Sequence, residues 1–332
     1  LALVFVPLSN WFAKKFNIYD KPSKRKMNFR KLTRWGGMGM FLSFFITIFL
    51  LIKIFPQAKE IFSYKYILEW GDVKETIVLS KQLLGIFFAS VLVIIVGTID
   101  DKKGINPLTK FLFQVIIAYC AMDFGVRILG FNIPFKDSFV TLPRILSQII
   151  TILWLCGFMN TVNLADGVDG LAAGIILIAG FTFFVISLLQ RQTGVVAQQM
   201  VLSAILSCVL VCVEGGFLVY NFFPAKLYMG DTGALWLGFI IGCITTVGVL
   251  KTGAIVSFAV PIFVIAMPFL DVIVSIVRRI KKGVSIGGAD KEHIHHLLLS
   301  SGWTVREVVL FFYVITMFLS MLMITFVALK LR

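Results

Sequence analysis

The chain has 332 residues, 59% of them hydrophobic and 14% charged, with a mean hydropathy of +0.95 and a formal net charge of +14. Soluble domains carry about 25% charged residues, so a water-soluble fold is excluded. Five cysteines lie inside apolar runs, where thiols act as small hydrophobes, which also excludes a disulfide framework.

A helix needs roughly 20 apolar residues to cross a bilayer. In chain order, the runs that approach this length are Leu1 to Ala13, Met38 to Phe55, Leu83 to Ile99, Leu108 to Phe124, Leu142 to Met159, Leu171 to Leu189, Met200 to Tyr220, Ala234 to Leu250, Ala254 to Val277 and Val308 to Leu329. The expectation is an all-α, polytopic membrane protein of about ten spans, folded as one domain over residues 1–332. The first run is short and opens on Leu1, so it reads as the remnant of a spanning helix whose beginning is missing. No basic n-region or small-residue cleavage site supports a signal peptide there.

Charge sets the orientation. Nineteen Lys and Arg fall in alternate connections (14–37, 98–110, 220–233 and 277–306), against eleven on the opposite face. Positive charge marks the cytoplasmic side, so these four connections are expected inside. The basic run from Lys14 to Arg34 serves orientation and attraction to anionic lipid, at about 1 kcal/mol per residue near the surface. No interleaved aromatic residues suggest nucleic-acid stacking.

Four polar motifs, Asp100-Asp101, Asn160 through Asp169, Asp231 and His293-Ile-His295-His296, are then all expected on the inward side. Asp100 and Asp101 directly follow the third run. Adjacent carboxylates in a partly dry place call for a cation, and one reads as a proton acceptor, the other as a metal or hydrogen-bond partner. A solvated helix end beside Lys102 and Lys103 is the plain alternative. Asn160, Asn163, Asp166 and Asp169 recur every third residue, which on a helix places them near one face. Polar groups at membrane depth chiefly line cavities or pair with one another.

Asp231, between Gly230 and Gly233, opens the eighth run. It reads either as a helix cap or as a ligand for Mg²⁺, which takes few protein oxygens beside phosphates. All three histidines lie in His293-Ile-His295-His296, near Arg278, Arg279, Lys281, Lys282 and Lys291. With no cysteine nearby, this cationic stretch suits a phosphate better than zinc. Asp271, seven residues before Arg278, and Glu214 are acids inside apolar runs, each either functional or structurally paired.

Together these motifs resemble the polyprenyl-phosphate N-acetylhexosamine 1-phosphate transferases. The elements are Asp20-Lys-Pro-Ser-Lys-Arg25-Lys26 with Arg34-Trp-Gly36-Gly37, and Gly97-Thr-Ile-Asp100-Asp101 with Pro107, Lys110 and Gln114. They continue through Asn160-x-x-Asn163-x-x-Asp166-Gly-x-Asp169-Gly-Leu, Asn221-Phe-Phe-Pro-Ala-Lys, Met-Gly-Asp231-x-Gly, Asp271 with Arg278, and His293-Ile-His295-His296-Leu-Leu. The resemblance spans nearly the whole chain. It departs at Asn28, where the family usually has histidine, and at Lys31-Leu-Thr33, where it has prolines. The histidine motif looks like the N-acetylglucosamine 1-phosphate branch rather than the muramyl-pentapeptide branch.

The resemblance implies transfer of a sugar 1-phosphate from a UDP-N-acetylhexosamine to undecaprenyl phosphate, with release of UMP, at the inner face of the plasma membrane. It implies Mg²⁺, or Mn²⁺ in its place, held by Asp231 and Asn163. Asp100, Asp101, Asp166, Asp169, His293, His295 and His296 are then the catalytic candidates, and Asn160, Lys110, Arg278 and Lys291 the substrate-binding ones. Partners are the two substrates, the bilayer and a second copy in a homodimer, with no nucleic acid. Two rival readings are the muramyl-pentapeptide transferase branch and a secondary transporter of an anionic solute.

Overall fold

The computed structural model describes residues 1–19, 32–70, 73–132, 139–190, 195–248 and 294–330, with isolated helical positions between 266 and 281. Nine of the ten apolar runs are helices. They are α1 (Ala2–Lys15), α2 (Gly36–Ile54), α4 (Leu79–Lys103), α5 (Pro107–Asp123), α6 (Arg144–Ala165), α7 (Leu171–Leu189), α8 (Val195–Asn221), α9 (Gly230–Val247) and α11 (Val305–Lys330). The tenth, Ala254 to Val277, lies outside the described residues except for isolated positions. Among the described residues, seven helices are long and apolar enough to cross a membrane. The others in this set are α1, with 14 residues, and α5, with 17.

Two short helices and two hairpins were not anticipated. α3 (Pro56–Ser63) follows α2, and α10 (Ile294–Ser300) precedes α11. Strands β1 (Lys65–Trp70) and β2 (Val73–Val78) pair antiparallel, as do β3 (Gly130–Asn132) and β4 (Phe139–Thr141). The first hairpin had a readable signal: segments rich in Val, Ile, Thr and aromatics on either side of Gly71-Asp72. Both hairpins lie in connections between helices, so the bundle itself is all-helical.

α9 is the centre. Every residue from Gly230 to Val247 is buried except Asp231, as expected of a helix that is apolar all round. It packs against α2, α4, α6, α7 and α8. Between helices in a membrane, close approach depends on small residues. A β-carbon added to Gly97 of α4 would overlap the Thr232 backbone, so the last turns of α4 lie directly on the first turn of α9. By contrast, α11 presents Leu310, Val314, Met317, Phe318 and Met321 outward, a face suited to lipid.

Candidate active site

The chemistry gathers where α4 and α6 end and where α5 and α9 begin. Asp100 and Asp101 occupy the last turn of α4, which closes at Gly104. The two neighbours do different things. Asp101, whose side chain has no exposure, accepts from the Asp231 amide (2.9 Å), the Thr232 amide (3.0 Å) and the Thr232 hydroxyl (2.6 Å). It therefore caps α9 from another helix and satisfies amides that a helix start leaves open. Arg34 Nη1 lies 3.8 Å from the same carboxylate. The segment carrying Arg34 is itself fixed, since Tyr228 N donates to Thr33 O and Gly36 N to Tyr228 O.

Asp231 was expected either to cap α9 or to bind a metal. It does not cap: its own amide is what Asp101 caps, and its side chain points to the polar cluster. Gly230, at φ +72°, makes the turn that brings Asp231 there, with Asp101 and the Arg34 carbonyl against its α-carbon.

Asp100 turns the other way. One oxygen accepts the Ile105 amide at 2.8 Å, and the other meets Lys110 Nζ at 2.8 Å. Lys110, in the first turn of α5, also donates to Asp231 Oδ1 at 2.6 Å and Asn163 Oδ1 at 3.1 Å. Asn163 Nδ2 donates to the same Asp231 oxygen at 2.7 Å. One turn deeper, Gln114 and Asn160 exchange amide hydrogen bonds of 3.1 and 2.7 Å. Two rungs thus join α5 to α6, Lys110 to Asn163 and Gln114 to Asn160, with spacings of four on one helix and three on the other.

The three-residue repeat is only half helical. α6 stops at Ala165, so Asn160 and Asn163 share a face, whereas Asp166 caps the end and Asp169 lies in the turn before α7. Asp166 is half-buried. Asp169 is buried and accepts the Ala225 amide at 3.0 Å, tying the α6–α7 turn to the α8–α9 loop. Asn221 adds a second tie: it accepts from Gly170 N at 3.1 Å and donates to Leu227 O at 3.0 Å.

Asp100, Asp101, Lys110, Asn160, Asn163 and Asp231 are therefore brought together, while Asp169 serves the frame. His293 and Lys291 lie outside the described residues, as does Asp271. His295 and His296 fall on α10, with side chains outside the description, and Arg278 is helical and half-buried. Glu214 is fully buried, and neither carboxyl oxygen has a hydrogen-bond partner among the described residues. Thr232 is a contributor the motif reading did not single out, and Arg34, quoted there only as part of a motif, gains its contact with Asp101 from the structure. Thr232 was detectable only as the residue after Asp231, because its partner is remote in sequence.

The donor set was tested for a cation. Among the described residues, no group of three or more His, Cys, Asp or Glu is arranged to enclose a metal. The oxygens present are the Asp231 carboxylate, its side chain 25% exposed, and the Asn163 amide oxygen. Both already accept a cation, the Lys110 ammonium. Such a sparse, hard set fits Mg²⁺, which retains waters and leans on substrate phosphates.

Fold and site define a multi-pass helical membrane enzyme with a charged cradle at one end of its bundle. Residues 83–249 match the family model described as glycosyl transferase family 4. The chain belongs to this family, and is a membrane transferase. It is 31% identical to the probable undecaprenyl-phosphate N-acetylglucosaminyl 1-phosphate transferase of Bacillus subtilis (strain 168), over 94% of this chain and 78% of the relative. It is 31% identical to the decaprenyl-phosphate N-acetylglucosaminephosphotransferase of Mycobacterium leprae (strain TN), over 88% and 72%. The phospho-N-acetylmuramoyl-pentapeptide-transferase of Staphylococcus carnosus (strain TM300) is 32% identical, but over 67% of this chain and 68% of the relative.

Proposed function

We propose that this protein transfers N-acetylglucosamine 1-phosphate from UDP-N-acetylglucosamine to undecaprenyl phosphate, yielding UMP and the lipid diphosphate sugar. The carrying observation is the three-way contact of Lys110 with Asp100, Asp231 and Asn163. Phosphoryl transfer asks a protein chiefly to position groups and neutralise charge, and this cradle joins one ammonium to two carboxylates and an amide oxygen. The acetylglucosamine relatives align over more of the chain than the muramoyl relative does, which supports the sugar.

In the reaction, an oxygen of the lipid phosphate attacks the β-phosphorus of the donor. The bond from that phosphorus to the bridging oxygen breaks, and UMP leaves with the electron pair. Asp100, held by Ile105 N and Lys110, takes any proton left on the lipid phosphate. Lys110 moves its charge toward the phosphates as they arrive. Asp101 keeps Asp231 in place through the α9 cap, which assigns the two adjacent aspartates separate tasks. Asp231 and Asn163 would hold Mg²⁺, which when bound neutralises the donor diphosphate; Mn²⁺ is the substitute. Asn160 sets Asn163 through its rung to Gln114. Asp166 and Asp169 shape the turn that orients the nucleotide, and His293, His295, His296, Lys291 and Arg278 supply cationic groups for the phosphates.

The same reading puts ten helices across the plasma membrane, with α1, α5 and the 254–277 run joining the seven, and the cradle on the cytoplasmic side. The excess of basic residues in the connections around the cradle supports that orientation. A homodimer in the bilayer completes it. The test is a donor screen: purified protein, Mg²⁺ and undecaprenyl phosphate with each UDP-sugar or peptide-bearing nucleotide, read as UMP. UMP release with UDP-N-acetylglucosamine is expected. Turnover confined to the peptide-bearing nucleotide would move the protein to the other branch, and no turnover with any donor would end the proposal.

A further inference from the structure

α11 is mostly presented to lipid, yet near its start it carries one polar contact to the α6–α7 turn. Tyr313 Oη donates to the Gly170 carbonyl at 2.6 Å. The ring lies across Gly174, where any β-carbon would occupy the position of the phenol. Gly170 itself, at φ +80°, donates its amide to Asn221, while the adjoining Asp169 carboxylate accepts Ala225 N. The turn bearing Asp166 and Asp169 is thus pinned from α8, from the loop after α8, and from α11.

α11 follows α10, on which His295 and His296 lie, after a four-residue turn over 301–304. Its start is set by a reciprocal cap: Glu307 Oε2 accepts Thr304 N at 2.7 Å, and Thr304 Oγ1 accepts Glu307 N at 3.3 Å. The first turns of α11 therefore connect the histidine segment to the aspartate turn through the Tyr313 hydroxyl. The Gly170 carbonyl keeps a second donor, Gly174 N at 3.0 Å. Deleting the hydroxyl leaves that acceptor satisfied, so its loss removes direction rather than solvation.

We propose that Tyr313 is a positioning residue for the donor nucleotide: its hydroxyl holds the Asp166–Gly170 turn in register with the segment carrying His295 and His296. The inference rests on the reading of that turn as nucleotide-orienting. The test is Tyr313→Phe in the full chain, in detergent, with Mg²⁺. A KM for UDP-N-acetylglucosamine raised about tenfold is expected, with KM for undecaprenyl phosphate and kcat within about twofold, because the lost interaction acts on donor binding. Hydrogen exchange of the amides from Asp166 to Gly174 should be faster in the variant. Unchanged donor KM, or equal losses for both substrates together with a lower melting temperature, overturns the proposal. If the wild type releases no UMP, the functional reading fails on its own, and the exchange measurement decides whether the hydroxyl holds the turn: unchanged exchange overturns that too.

Discussion

Asp101→Asn is predicted to damage the fold more than the chemistry of the reacting groups. The carboxylate accepts three hydrogen bonds at the start of α9, from Asp231 N, Thr232 N and Thr232 Oγ1. An asparagine amide offers one acceptor and one donor group, and the two backbone N–H groups approach different oxygens. The Thr232 hydroxyl can rotate and accept; an N–H cannot. Whichever way the amide is turned, one buried backbone donor faces another donor, at a cost of about 1–3 kcal/mol. Loss of the negative charge from the helix start adds about 0.3–1 kcal/mol, and up to about 2 where the geometry is partly buried. Together these give a destabilisation of about 1–5 kcal/mol. Unfolding in mixed micelles, followed by circular dichroism without substrates, measures it. Asp100→Asn is the control, because the Ile105 amide can keep an oxygen acceptor there. A loss below about 0.5 kcal/mol for Asp101→Asn, the range of ordinary surface substitutions, would refute the interhelical cap.

Asp231→Asn should abolish Mg²⁺-dependent UMP release while the protein remains folded in detergent; near-normal turnover would remove the metal role. Lys110→Met leaves Asp100 and Asp231 without their shared cation, and turnover should fall at least about 100-fold, with Lys110→Arg failing to restore it, since a planar fork does not replace a compact ammonium meeting three oxygens. Steady-state rates at saturating donor check both. Gly97→Ala drives a methyl into the Thr232 backbone; overpacking of this kind costs about 1–3 kcal/mol, readable as a lower melting temperature together with weaker donor binding as Asp231 is displaced.

Much of the helical body was legible. The Leu171 to Leu189 run is α7 to the residue, and Met38 to Phe55 lies within two residues of α2 at each end. Long apolar stretches leave the backbone no alternative, because an unsatisfied amide in hydrocarbon is too costly. The short elements between spans were not legible in the same way: hairpins and helices of about two turns depend on a few turn residues and on what they rest against.

Within the site, the sequence by itself determined which residue types were available and in what order: paired aspartates after a span, amides three apart, an aspartate between glycines, and a cluster of histidines. Only the tertiary structure decided their assignments. Asp100 and Asp101 are neighbours in the chain, yet successive positions on a helix point about 100° apart; one therefore reaches Lys110 and the other the start of α9. Asp166 and Asp169 were read with Asn160 and Asn163, but α6 ends before them, so the repeat divides between a helix face and a turn. Composition and periodicity report what one segment does alone. The partners of Asp101, Lys110 and Tyr313 are 131, 121 and 143 residues away, and only packing of the helices against α9 and α7 brings them within reach.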